Sequence, residues 1–451
     1  MFKKVIVVGI VFVLLASLAT AATTAAGQDD PATPMIHVDP ASALRDTPVQ
    51  IVLVGFEPGV EVTLQARATD SLGVGWESWA TFVADESGSV DVSAQAPTAG
   101  SYTGVDGMGL FWSMTAANYT VPFSWDTLDP LVIHLFARVA GETVARAEIE
   151  RLYVAQDVTR VEVREAGLYG TLFLPPGDGP FPALLVLGGS EGGLGENQAA
   201  LLASHGYAAL ALAYFGYEDL PPELAEIPLE YCATALDWLR AHDAVDAGRI
   251  GIMGGSKGAE LALLLAVRHS DVRAVVATAP ASAVFQGLNS DMMTRPTSSW
   301  SEGGAPLPFV PFPMTLEVYQ AMQTDDGLMQ FLPVYEAALD DEAAVAEAAI
   351  PVEQIAGAIL LVSGGDDVMS ASERMADQIV ARREANGQTT LHLNYPAAGH
   401  MIGVPYTPAM NTDRAIAVQG GAVFGGTPEA NAAASADAWP RILAFLDENL
   451  R

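Results

Sequence analysis

Cysteine occurs once in the 451 residues, at Cys232, so no intramolecular disulfide can form. That cysteine lies in the apolar-periodic stretch 231–239 and reads as a small core residue rather than a thiol catalyst. No Cys/His cluster has metal-ligand spacing, so no metal is expected. Positive charge is scarce as well: 21 Lys and Arg stand against 54 Asp and Glu, and lysine occurs only at positions 3, 4 and 257. A formal net charge of −33 repels nucleic acid and anionic lipid, which excludes both as partners. The longest apolar run, Val5 to Ala16, is short for a membrane span of ~20 residues, and no positive stop-transfer cluster follows it. With Lys3 and Lys4 before it and Ala19-Thr20-Ala21 after it, the run reads as a signal peptide over 1–21. An uncleaved anchor is the competing reading. No cysteine near the cleavage site suggests a lipoprotein, and no Arg-Arg pair suggests a twin-arginine route. Export is therefore expected, with no stable membrane insertion afterwards. Loss of the two leader lysines would bring the mature charge to −35.

What remains is globular in composition, 50% hydrophobic and 17% charged, and long enough for two domains. A linker over 22–34, acidic and Pro-containing from Gln28 onward, leads into short alternating runs. Gln50-Ile51-Val52-Leu53-Val54, Glu61-Val62-Thr63-Leu64-Gln65, Ser89-Val90-Asp91-Val92 and Leu131-Val132-Ile133-His134-Leu135 are examples. Gly, Pro, Asp and Ser punctuate them, so residues 35–155 are expected to form an all-β, immunoglobulin-like sandwich. Residues 156–451 follow a different rhythm. From about Gly167, apolar strands (183–187, 208–213, 250–253, 274–277, 359–362) alternate with helical stretches (227–242, 258–269, 372–385). That order indicates a mostly parallel, doubly wound sheet. Residues 281–349, rich in Met, Phe, Pro and Trp before an acidic helical run, interrupt it as a cap-like insertion.

One motif carries chemistry. Gly254-Gly255-Ser256-Lys257-Gly258 follows the strand 249–253 and opens a helix, the nucleophile-elbow pattern of the α/β-hydrolase fold. A serine needs a base, and the base an orienting acid, in the chain order Ser, acid, His. His400, in the loop Pro396-Ala397-Ala398-Gly399-His400 after a last strand, is the candidate base. His392 sits inside that strand and reads as a packing residue, and His205 reads as structural. Asp367 is the candidate acid, with Asp366 as competitor and as the expected cap of the helix near Ser370. The tetrahedral intermediate needs two backbone donors, assigned to Lys257 and Ser190, with Gly189 as alternate. The loop Gly188-Gly189-Ser190-Glu191-Gly192-Gly193 lacks the phosphate-binding lysine pattern, so no nucleotide cofactor is expected. The Lys257 ammonium has two readings: contact with an anionic substrate group, or an ion pair with Glu260 three residues on.

The chain resembles bacterial members of the acyl-CoA thioester hydrolase and bile acid-CoA:amino acid N-acyltransferase family. The resemblance rests first on Gly104-Val105-Asp106-Gly107-Met108-Gly109-Leu110-Phe111-Trp112-Ser113. It continues through Tyr214-Phe215-Gly216-Tyr217-Glu218-Asp219-Leu220-Pro221, the Ser256 elbow, Ile350-Pro351-Val352-Glu353 and Gly399-His400-Met401-Ile402. The tail from Gly425-Gly426-Thr427-Pro428 to Asp437-Ala438-Trp439 completes it. The resemblance implies an amino-terminal sandwich, a carboxy-terminal α/β-hydrolase domain, and Asp367 as the acid. It also implies acyl-CoA thioester substrates, and the serine nucleophile favours hydrolysis over transfer to an amino acid. The reaction expected is acyl transfer from a small thioester or ester to water. An amino acid N-acyltransferase, an exported carboxylesterase and a non-catalytic envelope binding protein are the alternatives.

Overall fold

A computed structural model describes residues 33–116, 123–325, 327–409 and 421–451. The expected signal peptide and all but the end of the expected linker lie outside the described residues. Residues 35–152 form two facing sheets. One contains Met35–Asp39, Gln50–Val54 and Val90–Asp91. The other is built around Glu61–Thr69, Gly75–Val83, Leu131–Val139 and Glu142–Leu152. Alternation explains the pairing. In Glu61–Thr69 every second residue, from Val62 to Ala68, is buried while its neighbours face outward. Ile51 and Leu53 of the first sheet meet Val62, Leu64, Phe82 and Leu135 of the second in one core.

After Leu152 the pattern changes. The second domain is an eight-stranded sheet of β1 (Thr159–Val163), β2 (Tyr169–Leu174), β3 (Phe181–Leu187), β4 (Ala208–Ala213), β5 (Val245–Gly255), β6 (Ala274–Thr278), β7 (Ala358–Gly364) and β8 (Leu391–Tyr395). Their order is β1-β2-β4-β3-β5-β6-β7-β8; β1 and β2 pair antiparallel and the remaining six strands run parallel. The antiparallel pair is not in the sequence reading, because β1 is an exposed edge strand with only Val163 buried.

All six residues of β4 are buried, as a parallel strand covered on both faces requires. Leu185, Leu210, Ile252 and Val275 face one layer, which contains α2 (Leu229–Ala241), α3 (Lys257–Arg268) and α4 (Ser372–Ala385). Leu184, Ala209, Met253 and Val276 face the other, made by α1 (Glu196–Ser204) and the long α5 (Pro428–Leu450). The insertion holds three short helices, Leu316–Met322, Leu332–Leu339 and Glu342–Ala348.

The two domains meet through polar contacts. Asp46 Oδ2 lies 2.5 Å from His205 Nε2 and accepts a hydrogen bond from Trp439 Nε1 at 2.8 Å. Ser204 Oγ accepts from the Ala155 N–H at 2.8 Å. The Trp112 carbonyl, at the end of the Gly104–Ser113 segment, accepts from the Ala409 N–H at 2.9 Å. No helix among the described residues is long and apolar enough to cross a membrane.

Candidate active site

Ser256 stands between β5 and α3 with φ 53° and ψ −119°, a strained conformation for a residue with a side chain. The flanking glycines make the turn possible by sterics. A Cβ on Gly254 would lie 2.2 Å from the Gly258 carbonyl oxygen, and one on Gly258 would lie 2.3 Å from that of Gly188. At Gly258 the elbow is pressed against the loop after β3, so a side chain there would force the two apart, while one at Gly254 would collide with the start of α3.

His400 follows β8. Its N–H donates to the Phe424 carbonyl at 2.7 Å, and the preceding Gly399 N–H donates to Asn431 Oδ1 at 2.8 Å. His400 Nδ1 lies 2.8 Å from Asp367 Oδ2. With Nδ1 donating to the carboxylate, Nε2 is the nitrogen left to take a proton. Asp367 is buried in a shell of donors: the N–H groups of Met369 (2.8 Å) and Ser370 (2.9 Å), and the hydroxyls of Ser372 (2.6 Å) and Ser370 (3.2 Å). Burial alone would raise its carboxyl pKa. The charge and hydrogen bond of His400, with those from Ser372 and Ser370, outweigh burial and hold it below the usual carboxylate value.

Asp366 has another place. Its Oδ2 accepts from the Gly426 N–H at 2.9 Å, while the N–H groups before α4 turn to Asp367. The expectation that Asp366 caps that helix is corrected: the same carboxylate that orients His400 gathers those donors. The other histidines stay apart from the site. His392 Nε2 bonds Ser363 Oγ at 2.7 Å, and His205 belongs to the domain junction. Cys232 is fully buried, and burial pushes its thiol up to about 12, which suits a core residue.

Gly189, Ser190 and Lys257 border the same cavity as Ser256 and His400. Gly189 approaches the nucleophile closely, since a Cβ there would lie 3.4 Å from Ser256 Cβ. Its own N–H donates to Glu191 Oε1 at 2.8 Å, so Glu191 occupies the alternate donor. Tyr214 Oη donates to the Gly188 carbonyl at 2.6 Å and fixes the loop from behind. Sequence reasoning missed Tyr214, Glu191 and Asn431 as supports. Tyr214 opens one of the segments that carry the family resemblance, which was the available signal.

The Lys257 side chain overturns the substrate-contact reading. Its ammonium is buried, bonded to Glu260 Oε2 at 3.1 Å and Ser299 Oγ at 2.8 Å, with the Gln286 and Phe285 carbonyls at 3.3 and 3.4 Å. Glu260 in turn accepts from Trp300 Nε1 at 2.7 Å and the Phe285 N–H at 3.2 Å. Burial lowers the lysine pKa and raises the glutamate pKa, and each charge opposes the shift of the other. The physical reason is packing. The first turn of α3 points this side chain under the insertion, where Glu260 is the available counter-charge.

The cavity measures about 1160 Å³. The insertion contributes Met314, Met322, Met329, Phe312, Phe331 and Tyr335, while Met369 and Met401 come from the loops carrying Asp367 and His400. Unbranched thioether chains adapt to irregular apolar ligands, so this wall suits a flexible hydrocarbon. A serine sharing a largely apolar cavity with a carboxylate-oriented histidine can perform acyl transfer.

Comparison with known proteins finds matches in both domains. Residues 46–165 match the acyl-CoA thioester hydrolase/BAAT N-terminal region, and residues 227–451 match the BAAT/acyl-CoA thioester hydrolase C terminal. Acyl-coenzyme A thioesterase 1 of Mus musculus is 35% identical over 416 residues, covering 90% of this chain and 94% of the relative. Mouse mitochondrial acyl-coenzyme A thioesterase 2 is 34% identical, covering 90% and 87%. Mouse bile acid-CoA:amino acid N-acyltransferase is 35% identical over 423 residues, covering 91% and 96%. Matched through sandwich and sheet alike, the chain belongs to the acyl-CoA thioester hydrolase/BAAT family.

Proposed function

We propose that this protein hydrolyses acyl thioesters through an acyl-serine intermediate. The observation that carries the reading is Ser256, held in the elbow conformation and sharing one cavity with a His400–Asp367 pair at 2.8 Å. Ser256 Oγ attacks the thioester carbonyl while His400 Nε2 takes its proton. The carbonyl oxygen, now negative, is met by the N–H groups of Lys257 and Ser190. The C–S bond then breaks, and the proton passes from His400 to the leaving thiol. Water, deprotonated by His400, attacks the acyl-serine and releases the carboxylic acid and free Ser256. Asp367 holds the imidazole in the required tautomer and stabilises its positive form.

A second reading is transfer of the acyl group to an amino acid in place of water. It has support in the mouse N-acyltransferase, which is as similar to this chain as the thioesterases are. Export through the leader belongs to the same proposal. The test is turnover of an acyl-CoA series, with and without amino acids, beside fluorophosphonate labelling. Wild type should release free thiol and acid and take the label, and Ser256→Ala should do neither. Amide product in place of acid would favour the second reading. Labelled protein that turns over no thioester would overturn both. Amino-terminal sequencing from the native host checks export: a start near Ala22 supports it, and an intact Met1 in a membrane fraction defeats it.

A further inference from the structure

The cavity wall carries a cation from the sandwich. Arg45 follows Ser42–Leu44 of the sandwich, yet its side chain lines the same cavity as Ser256 and His400. Among the described residues no carboxylate is in ion-pair contact with it. Among the described residues its one side-chain hydrogen bond is long, from Nη2 to Thr407 Oγ1 at 3.5 Å, and its buried Nε has no partner. The guanidinium lies over the Tyr153 ring, 4.6 Å from its centroid, which supports the charge without neutralising it. Asp46, next in the chain, turns its Oδ2 to His205 and Trp439, and its charge acts on both Arg45 and Arg151 without an ion-pair contact to either.

A second buried cation stands behind the first. Arg151 donates through Nη2 to the carbonyls of Arg45 and Thr47 at 2.6 and 2.7 Å, fixing the turn that presents Arg45. Arg151 Nε and Nη1 also lack partners, so two guanidiniums with unmet donors share this junction. Burial works against both charges. A buried cation with no carboxylate bonded to it is costly in any protein. Here it persists at the wall of the substrate cavity, in a chain of net charge −33 whose sole lysine outside the leader is neutralised by Glu260. Glu191, the other charged residue on this wall apart from Lys257, is engaged by the Gly189 N–H.

We propose that Arg45, assisted by Thr407, receives an anionic oxygen group of the substrate, making the sandwich domain the specificity element of the active site. The group is either a phosphate of the thiol leaving group or a carboxylate at the far end of the acyl chain. Both present charged oxygens to a guanidinium fork. The proposal rests on the thioester reading above and adds a substrate class to it: thioesters carrying a second, anionic anchor.

Arg45→Gln tests this on four substrates of one chain length. These are the acyl-CoA, the uncharged acyl-pantetheine, and the two corresponding thioesters with a terminal carboxylate. A charge-assisted hydrogen bond is worth roughly 10–100-fold in a ratio of kcat/KM. A fall of that size in the CoA-to-pantetheine ratio assigns Arg45 to the phosphate. The same fall in the carboxylate-to-plain ratio assigns it to the acyl end. Equal losses on all four substrates, with both ratios unmoved, would overturn the proposal and leave Arg45 as a docking residue. Calorimetric binding of CoA and of decanedioate to Ser256→Ala, with and without Arg45→Gln, separates this outcome from failure of the thioester reading. Binding weakened by Arg45→Gln in a protein that turns over nothing would keep the anion site while removing the reaction. Binding that does not change would remove the site.

Discussion

Strand Glu61–Thr69 of the sandwich and strand β4 of the α/β domain bury their residues by opposite rules. The first hides one face and wets the other, and all six residues of the second are buried. The consequence is a division of labour. A parallel sheet covered on both faces leaves little room for polar side chains along its strands, so most collect where strands end. Ser256 follows β5, Asp367 follows β7 and His400 follows β8. The sandwich has an open face on every strand, yet it reaches the site through none of them. It contributes the turn at Arg45 and the Gly104–Ser113 segment, which bonds the Ala409 N–H in the loop after His400.

The severest strain on this comparison is Asp367→Asn. If chemistry is concentrated at strand ends, loss of one orienting charge should cost about 10⁴-fold in kcat, the precedent for a triad left in the wrong tautomer. Asp366→Asn, one residue away but bonded to the Gly426 N–H, should cost far less. Steady-state rates on a p-nitrophenyl ester decide it. A crippled Asp366 variant beside a mild Asp367 variant would reverse the assignment.

Lys257→Met sharpens the same comparison from the side of stability. It strands Glu260 in a dry interior, and breaking a buried pair typically costs about 3–5 kcal/mol. The double variant Lys257→Met/Glu260→Gln should recover part of that loss, read by urea unfolding. A single variant as stable as wild type would mean that the ammonium does not hold this pair together.

How much of this was legible depended on whether a feature is local in sequence. The elbow is five consecutive residues between a strand and a helix, and the second core announces itself by apolar runs at 183–187 and 208–213. Asp367 could be preferred over Asp366 only slightly from the residues, since their difference lies in long-range partners: His400 for one, Gly426 for the other. The Lys257–Glu260 pair could be named from its spacing, but not its burial, which comes from Phe285 and Trp300 of the insertion packing over it. Helix α5 was not read as a helix because Pro440 interrupts its periodicity. Arg45 was not legible at all. A single arginine in a turn has no pattern, and its place depends on a loop 362 residues further along.

The smallest expected effect concerns the seam between the two domains. Asp46 is buried, but it bonds His205 and Trp439 of the α/β domain rather than any partner in its own sandwich. Burial would raise its carboxyl pKa, and the hydrogen bond and charge of His205 with the Trp439 bond overcome that, leaving it below the usual carboxylate value. A carboxyl depressed on folding contributes stability that is complete above its unfolded value, about 3.9, and is lost as pH falls through the lower folded value. Asp46→Asn should therefore cost roughly 1–3 kcal/mol at pH 7, the worth of hydrogen bonds to a buried charge. The gap between variant and wild type should close as pH falls below about 4. Unfolding free energies of the two proteins across that range measure it. A gap that widened below about pH 4 would mean that the carboxyl is favoured protonated at the junction, and that His205 and Trp439 do not hold its charge. A gap that closes would tie the sandwich to the sheet through a charge one residue from Arg45. Docking and substrate selection would then share a single turn of the chain.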